Sequence, residues 1–514
     1  MYDIIFNNAN VITMDSSVPS ARLVTVKGEH IAAVADAGGF DALKGKGSRI
    51  LDCCGKTMLP GFIDAHCHIS AYAESLVTLN LSPRAGVRSI SDIKNKIQEH
   101  CLQVPARAWV RGKGYNEFYI AENRHPNRWD LDAAAPENPV KLTHRSGHAH
   151  VLNTRALEYV GIKDETGDPP GGLIERDPEN GLPTGILYGM SRHLAGKIPG
   201  FENEEIERGL EQADTKLLSY GITSVQDASF SNNLKQWKRF ESWKERNILH
   251  PRVTMMLGAE AFTDFDAQSY ASTVAETELR LGGVKIIAGR ETGSLQPFQT
   301  ELNRMIASIL AAGFQPAIHA VEEPVIEAAI KGLEYALRMH SRADSRHRVE
   351  HCSVCSPALL QKLASLGGVV VTQPAFLFYE GERYLKTVPA DQLKYLYPID
   401  LMLKKNLRVA FGSDLPIVDP NPMVGIGTAV TRRCENGSRL PGQGIGLYDA
   451  IRMYTLDAAA ASFEESLKGS ISPGKLADFI LLSEDPFSVS ADRVKDIRVV
   501  MTVVGGRIVW SDFH

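Results

Sequence analysis

The sequence predicts an α/β fold, a TIM-type (β/α)8 barrel flanked by β-rich chain ends, and three observations carry that prediction. Apolar runs of four to six residues, each followed by a helical stretch, recur through the middle of the chain at intervals close to one βα unit. Eight runs are clearest, the number that closes such a barrel: GFIDAH (61–66), PVKLTH (139–144), ITSVQD (222–227), GVKIIA (283–288), QPAIHA (315–320), HRVEHC (347–352), GVVVTQ (368–373) and RVAFGSD (408–414). The two ends share a different texture of short β-rich runs broken by Gly, Asn and Asp.

Taken in order, residues 1–58 hold the runs DIIFNNANVITM, SARLVTVKGEHIAAVAD and SRILDCCGKTMLP, a small β unit. Residues 59–468 hold the barrel, interrupted at about 70–138 by an insertion rich in Arg, Trp, Tyr and Asn, WVRGKGYNEFYIAENRHPNRW at its centre, of the kind that builds a lid. Residues 469–514 return to β texture in KLADFILLSED, IRVVMTVVGG and RIVWSD, so the two ends are expected to complete one small β domain. Neither a sequence repeat beyond the βα rhythm nor a low-complexity tract is present.

Composition narrows the function. With 44% hydrophobic and 23% charged residues in 514, the chain is an ordinary globular one. Its 56 Lys+Arg against 61 Asp+Glu give a net charge of −5 without a block of like charges, which argues against nucleic acid and against a membrane surface. The expected partner is a small-molecule substrate. No apolar run is long enough to span a bilayer and the N-terminus lacks the basic region of a secretory signal, so a cytoplasmic protein is expected. Seven cysteines suit reduced thiols; Cys352-Ser-Val-Cys355 lacks a nearby second pair for a zinc knuckle, and Cys67 is expected to pack.

Ionisable residues stand where a barrel places its chemistry, at the C-terminal strand ends: His66, His68, Lys285, His319, His351 and Asp414. His66 and His68 are two apart and project from one face of an extended strand, where two imidazoles grip one cation. The spacings from Lys285 to Asp414 imply strands four, five, six and eight. Four histidines and a carboxylate suit Zn²⁺, with Mn²⁺, Fe²⁺ or Co²⁺ as alternatives. A single strand-end histidine is ordinarily structural, so the weight rests on the combination. Lys285 lies in an apolar run where an unpaired ammonium is costly. Either it pairs with Glu291 or snorkels, or CO₂ converts it to a carbamate that bridges two metals.

These residues resemble those of the amidohydrolase superfamily, and more narrowly its YtcJ-like, amidohydrolase-3 branch, over nearly the whole chain. PGFIDAHCH resembles the strand-one motif, GVK the strand-four lysine, AIHA the strand-five histidine, HRVEHC the strand-six motif and GSDLPI the strand-eight aspartate, while GSISPGKLADFILL and VVGGRIV resemble returning β-sandwich strands. GYNE (114–117), SGHAHVLN (146–153), PPGGLIERD (169–177), PTGIL (183–187) and GITSVQD (221–227) are further marks of the branch. The resemblance implies a (β/α)8 barrel with a β-sandwich domain, and a homo-oligomer of unspecified size. It also implies two metals: His66, His68 and Asp414 at the more buried one, His319 and His351 at the other, and carbamylated Lys285 across both. AGRETGSLQPF and HAVEEP depart from the branch after the lysine and the strand-five histidine, which implies a rebuilt substrate pocket.

The expected activity is hydrolysis of a C–N bond in an amide, carbamate, cyclic amide or N-acyl compound by metal-activated hydroxide, with Asp414 as general acid/base. His148 is a candidate donor to the developing oxyanion, although His144 or His150 could face the pocket instead. Arg290 and Arg383 are candidate substrate-binding residues, Arg383 beside Tyr379 and Tyr384 as a carboxylate clamp or as part of a solvated loop. Glu322 and Glu323 fit a surface ion pair equally well. Tyr115, Phe118, Tyr119 and Trp129 could cover a ligand or pack on helices. Two alternatives stand beside this reading: hydrolytic deamination of a ring, against which Lys285 argues, and a noncatalytic scaffold, against which the six filled ligand positions argue.

Overall fold

The computed structural model describes residues 2–36, 38, 47–169, 171–265, 278–291, 294–340 and 344–512. They divide into two compact units, residues 1–69 with 214–514 and residues 70–213.

The first unit is built on a parallel sheet of, among the described residues, eight strands: β1 (Phe62–Cys67), β2 (Ile222–Asp227), β3 (Arg252–Gly258), β4 (Leu279–Ile287), β5 (Pro316–Ala320), β6 (Arg348–His351), β7 (Val369–Thr372) and β8 (Arg408–Phe411). Each pairs in parallel with its sequence neighbour. The segment after β8 returns to β1 through Asp414 N–H to His66 O (2.7 Å) and His68 N–H to Leu415 O (3.1 Å), which closes a TIM-type barrel. Helices 234–245, 299–311, 323–339 and 357–365 lie in the connections. Parallel strands covered on both faces are buried at nearly every position, as β1, β2 and β3 are throughout. Alternation sorts their side chains: in β1, Ile63 and Ala65 pack with Ala458, Ala459 and Ala461 outside the barrel, while Asp64 and His66 face inward.

Strands of both chain ends meet in this same unit. One six-stranded sheet runs, in spatial order, 507–511, 499–504, 479–482, 57–60, 10–12 and 20–21, and a four-stranded sheet of residues 4–7, 23–27, 30–35 and 49–52 shares a core with it around Phe6 and Phe479, whose rings meet edge-on at 4.8 Å. Arg252, fully buried at the start of β3, ties the barrel to this layer through Asp478 (2.7 and 3.1 Å) and reaches Glu278 at 2.9 Å. Such a buried guanidinium is tolerable only because carboxylates meet it in a fork.

The second unit has its own mixed sheet, in the order 173–176, 183–188, 149–152, 140–144, 110–115 and 79–80. This corrects the strand assignment made from the sequence. PVKLTH (139–144) is not the second barrel strand; it pairs antiparallel with residues 149–152 in the second unit, and the compact insertion reaches residue 213, beyond the expected 138. Its burial alternates, with Lys141 and Thr143 less buried than Val140 and Leu142, the mark of a strand with two unlike faces. The barrel strand that the sequence reading missed is β3, RVTMMLG, which opens on arginine and carries Met-Met-Leu, none of them β-branched, where further β-branched residues would have marked a strand. One strand wrongly included and one omitted cancel, so Lys285, His319, His351 and Asp414 still fall on or just after β4, β5, β6 and β8.

Candidate functional site

His66 ends the inward-facing column of β1, and His68 follows on the same side. Asp414 lies three residues past β8 in a left-handed conformation (φ 58°), which turns its carboxylate back over the barrel. One ligand atom from each of these three residues falls within 4.8 Å of the others. Asp414 Oδ1 is 3.0 Å from His68 Nε2 and 3.6 Å from His66 Nε2. The other predicted residues adjoin them: Lys285 Nζ lies 3.1 Å from His66 Nε2, the His351 ring is 4.8 Å from the His66 ring, and the His319 ring is 4.4 Å from that of His351.

Strand alternation alone would put His351 on the opposite face from Glu350. Left-handed backbone at His351 (φ 72°) and Cys352 (φ 46°) breaks the alternation, and both Glu350 and His351 face inward. For β-carbon-bearing residues that conformation costs roughly 1–2 kcal/mol each, strain of the kind held at functional sites.

A layer of supporting groups holds the imidazoles, and the sequence reading overlooked it. Glu350 Oε2 accepts from His66 Nδ1, and Arg348 grips the same carboxylate from Nε (2.6 Å) and Nη2 (3.1 Å) while donating to Gln226 and to Ala65 O. His351 Nδ1 donates to Gln373 Oε1 (2.9 Å), and His68 Nδ1 meets Ser229 Oγ at 3.0 Å. With Nδ1 committed in this way, the Nε2 atoms of His66 and His351 are turned toward the cluster, as second-layer partners orient a metal-binding histidine, while His68 Nε2 is hydrogen-bonded to Asp414 (3.0 Å). Asp64 fixes the Asp414 turn, accepting from Ser413 N (2.9 Å) and Oγ (2.5 Å). The i, i+2 spacing of Arg348 and Glu350 in HRVEHC was the signal available for part of this layer.

Burial sets the charge states. It holds His66 and His351 far below the usual imidazole range and His319 at about 4, each helped by neighbouring positive groups, so these rings are neutral. Burial lowers the Lys285 ammonium to about 8 against the pull of Glu350 and Asp414. Burial would raise Asp414, but the hydrogen bond from His68 and the surrounding positive charge outweigh it, and the group stays a carboxylate. Neutral nitrogens, a carboxylate and an easily deprotonated amine form a donor set that fits a divalent N/O-preferring ion.

The remaining candidates lie elsewhere. His148 belongs to the second unit, exposed in the turn between residues 140–144 and 149–152. In that unit His144 pairs with Glu117 at 2.7 Å, and buried His150 lies between Thr143 (3.2 Å) and Ser191 (2.9 Å). Arg290 is half-exposed in a hairpin of residues 289–291 and 294–296. Arg383 sits on helix 375–387, paired with Glu380 (2.8 Å) and stacked on Tyr384. Glu322 occupies the N-cap position of helix 323–339 without a side-chain capping bond. The aromatic insertion divides, Tyr115 entering the second unit's core while Phe118, Tyr119 and Trp129 are exposed. All seven cysteines are free, with Cys67, Cys352 and Cys355 buried. The Glu291 side chain lies outside the described residues. No helix among the described residues is long and apolar enough to cross a membrane.

Comparison with known proteins matches residues 49–510 to the profile described as the amidohydrolase family. The chain is 30% identical to an N-substituted formamide deformylase of Arthrobacter pascens, over 98% of each chain. It is 27% identical to the protein YtcJ of Bacillus subtilis (strain 168), over 89% of each. Among solved structures, an uncharacterized metal-dependent hydrolase from Pyrococcus horikoshii OT3 superposes with a TM-score of 0.77 at 21% identity, covering 95% of this chain and 99% of that one.

Proposed function

This chain belongs to the amidohydrolase family, in its YtcJ-like branch, and from that membership we propose that it hydrolyses a C–N bond in an amide with a small acyl group, a formamide in the first instance. The observation that carries the reading is the convergence of His66, His68 and Asp414 within 4.8 Å, with Lys285, His319 and His351 adjoining. The relative named for deformylation supports the choice of acyl group.

Zn²⁺ is the ion we favour, with His66, His68 and Asp414 holding one and His319 and His351 a second; when bound, it supplies Lewis acidity that polarises a carbonyl and makes water a nucleophile at neutral pH. Lys285 suits the bridging role because burial favours its neutral amine. The neutral Nζ attacks CO₂, one N–C bond forms as one C=O π bond opens onto oxygen, and one proton leaves the nitrogen, which converts a neutral amine into an anionic carbamate ligand. Asp414 takes the proton of the attacking water on its carboxylate and returns it to the nitrogen as the C–N bond breaks, starting from the ionised form that its surroundings favour. Glu350 and Gln373 keep His66 and His351 in the tautomer that ligation requires. We read the two end sheets, with their shared core, as a β-sandwich domain bracing the barrel.

The test is metal content per chain, by plasma mass spectrometry on protein purified without chelator and with bicarbonate present. Two equivalents are expected with Lys285 intact and fewer in Lys285→Ala; a chain that takes up no metal after reconstitution sinks the reading. Asp414→Asn should lower formamide turnover by about 100-fold or more while the far-ultraviolet spectrum is unchanged.

A further inference from the structure

We propose that the substrate's nitrogen carries an uncharged, apolar substituent, and that Phe230, Ile287, Val321 and Ile417 form a collar at the barrel's rim that receives it. This rests on the reading of the site as a small-acyl amide hydrolase and supplies the other half of the substrate.

Each collar residue is one short step of chain from a residue of the site. Side chains two apart on a strand share a face, so Ile287 stands one level above Lys285 on β4, and Val321 continues the column of His319 just past β5. Ile417 donates its N–H to Asp414 O at 3.0 Å, and Phe230 follows Ser229, whose hydroxyl meets His68. The four are 65% (Phe230), 46% (Ile287), 37% (Val321) and 64% (Ile417) exposed, whereas His66, Lys285, His351 and Asp414 beneath them are no more than 9% exposed. A single exposed apolar side chain is unremarkable. Four from four different strand ends of one barrel, each one to three residues from a group of the site, offer apolar surface on the rim where the site opens.

The neighbouring charges do not alter this. Arg290 belongs to the hairpin after β4, and Glu322 stands at the N-terminus of helix 323–339, whose dipole favours a carboxylate, without a side-chain capping bond. An alkyl or aryl group leaving water for the collar gains up to about fourfold in kcat/KM for each methylene covered. A carboxylate in the same place is desolvated against isoleucine, valine and phenylalanine, and loses.

The experiment compares N-methyl-, N-hexyl- and N-(carboxymethyl)formamide with the zinc-loaded full chain. kcat/KM should rise at least tenfold from methyl to hexyl and fall below the methyl value for carboxymethyl. In the double variant Ile287→Ser/Val321→Ser the hexyl-to-methyl ratio should drop at least fivefold, and because each protein serves as its own reference a partial loss of folded enzyme cancels. Equal kcat/KM across the series, or an unchanged ratio in the variant, overturns the collar. If none of the three is hydrolysed, calorimetric titration with the hexyl and carboxymethyl compounds separates the two ideas. Preferential binding of the hexyl compound upholds the collar and discards the formamide reading; equal binding, or no binding of the hexyl compound, discards the collar.

Discussion

His66 illustrates how much of a candidate ligand's behaviour is set by the residues behind it. Its Nδ1 faces Glu350, and Arg348 neutralises that carboxylate in a space from which water is excluded, both side chains being at most 1% exposed. Removing the charge from Glu350 therefore does two things: the His66 tautomer is no longer imposed, and a buried guanidinium loses its anion. Glu350→Gln is expected to weaken metal binding by about 10- to 100-fold, read by competition with a chelator, in a variant whose circular dichroism is unchanged. Unaltered affinity would mean that Glu350 only packs. The candidate ligands, which the structure brings together, were legible in the sequence because strand ends are recognisable and His, Lys and Asp are conspicuous there. Their supports were not, because Arg348–Glu350 reads as an ordinary charged pair until burial is known.

At the scale of the element, the site depends on how closely β8 approaches β1. Gly412 makes this approach possible: a β-carbon there would lie 2.5 Å from His66 N and 2.8 Å from His66 Cβ, and neither can yield without moving the ligand. Gly412→Ala should cost about 1–3 kcal/mol in urea unfolding and displace His66, so metal content should fall with stability. Full metal loading in that variant would show that the strands part without disturbing the ligands. The two misread strands teach the complementary point. PVKLTH and RVTMMLG are similar in length and hydrophobicity; what separates them is whether one face or both are covered, and that is a property of the neighbours each strand finds.

For the whole molecule, the buried histidines predict an acid limit. Burial holds His150, His319 and His347 at about 4, below the ordinary value of about 6.5. The unfolded chain therefore binds more protons than the folded one between those values: stability is fully present above about pH 6.5 and is lost as pH falls toward 4. At pH 5 each such group removes on the order of 1–2 kcal/mol. Asp64 acts in the opposite sense, since burial raises it to about 6 and its protonation favours the fold as pH falls through that value, and burial raises Asp457 too, but the lowered histidines, His66 and His351 among them, outnumber these two carboxyls. The urea midpoint of the metal-free protein should thus decline from pH 7 to pH 5, and a constant midpoint would contradict the buried neutral histidines. Bound metal should deepen the decline, because protons compete with it for the same nitrogens.

The sequence by itself determined the barrel, the β texture of both ends and the six residues of the candidate metal site, because those depend on local periodicity and on which residue types stand at strand ends. Only the tertiary structure decided which runs enter the barrel, where the second unit ends, that Glu350, Arg348, Gln373 and Asp64 hold the candidate ligands and their turn in place, and that apolar side chains are left exposed at four of the strand ends. Each of these depends on residues far apart in the chain being brought within a few ångströms, and local sequence patterns do not encode that distance.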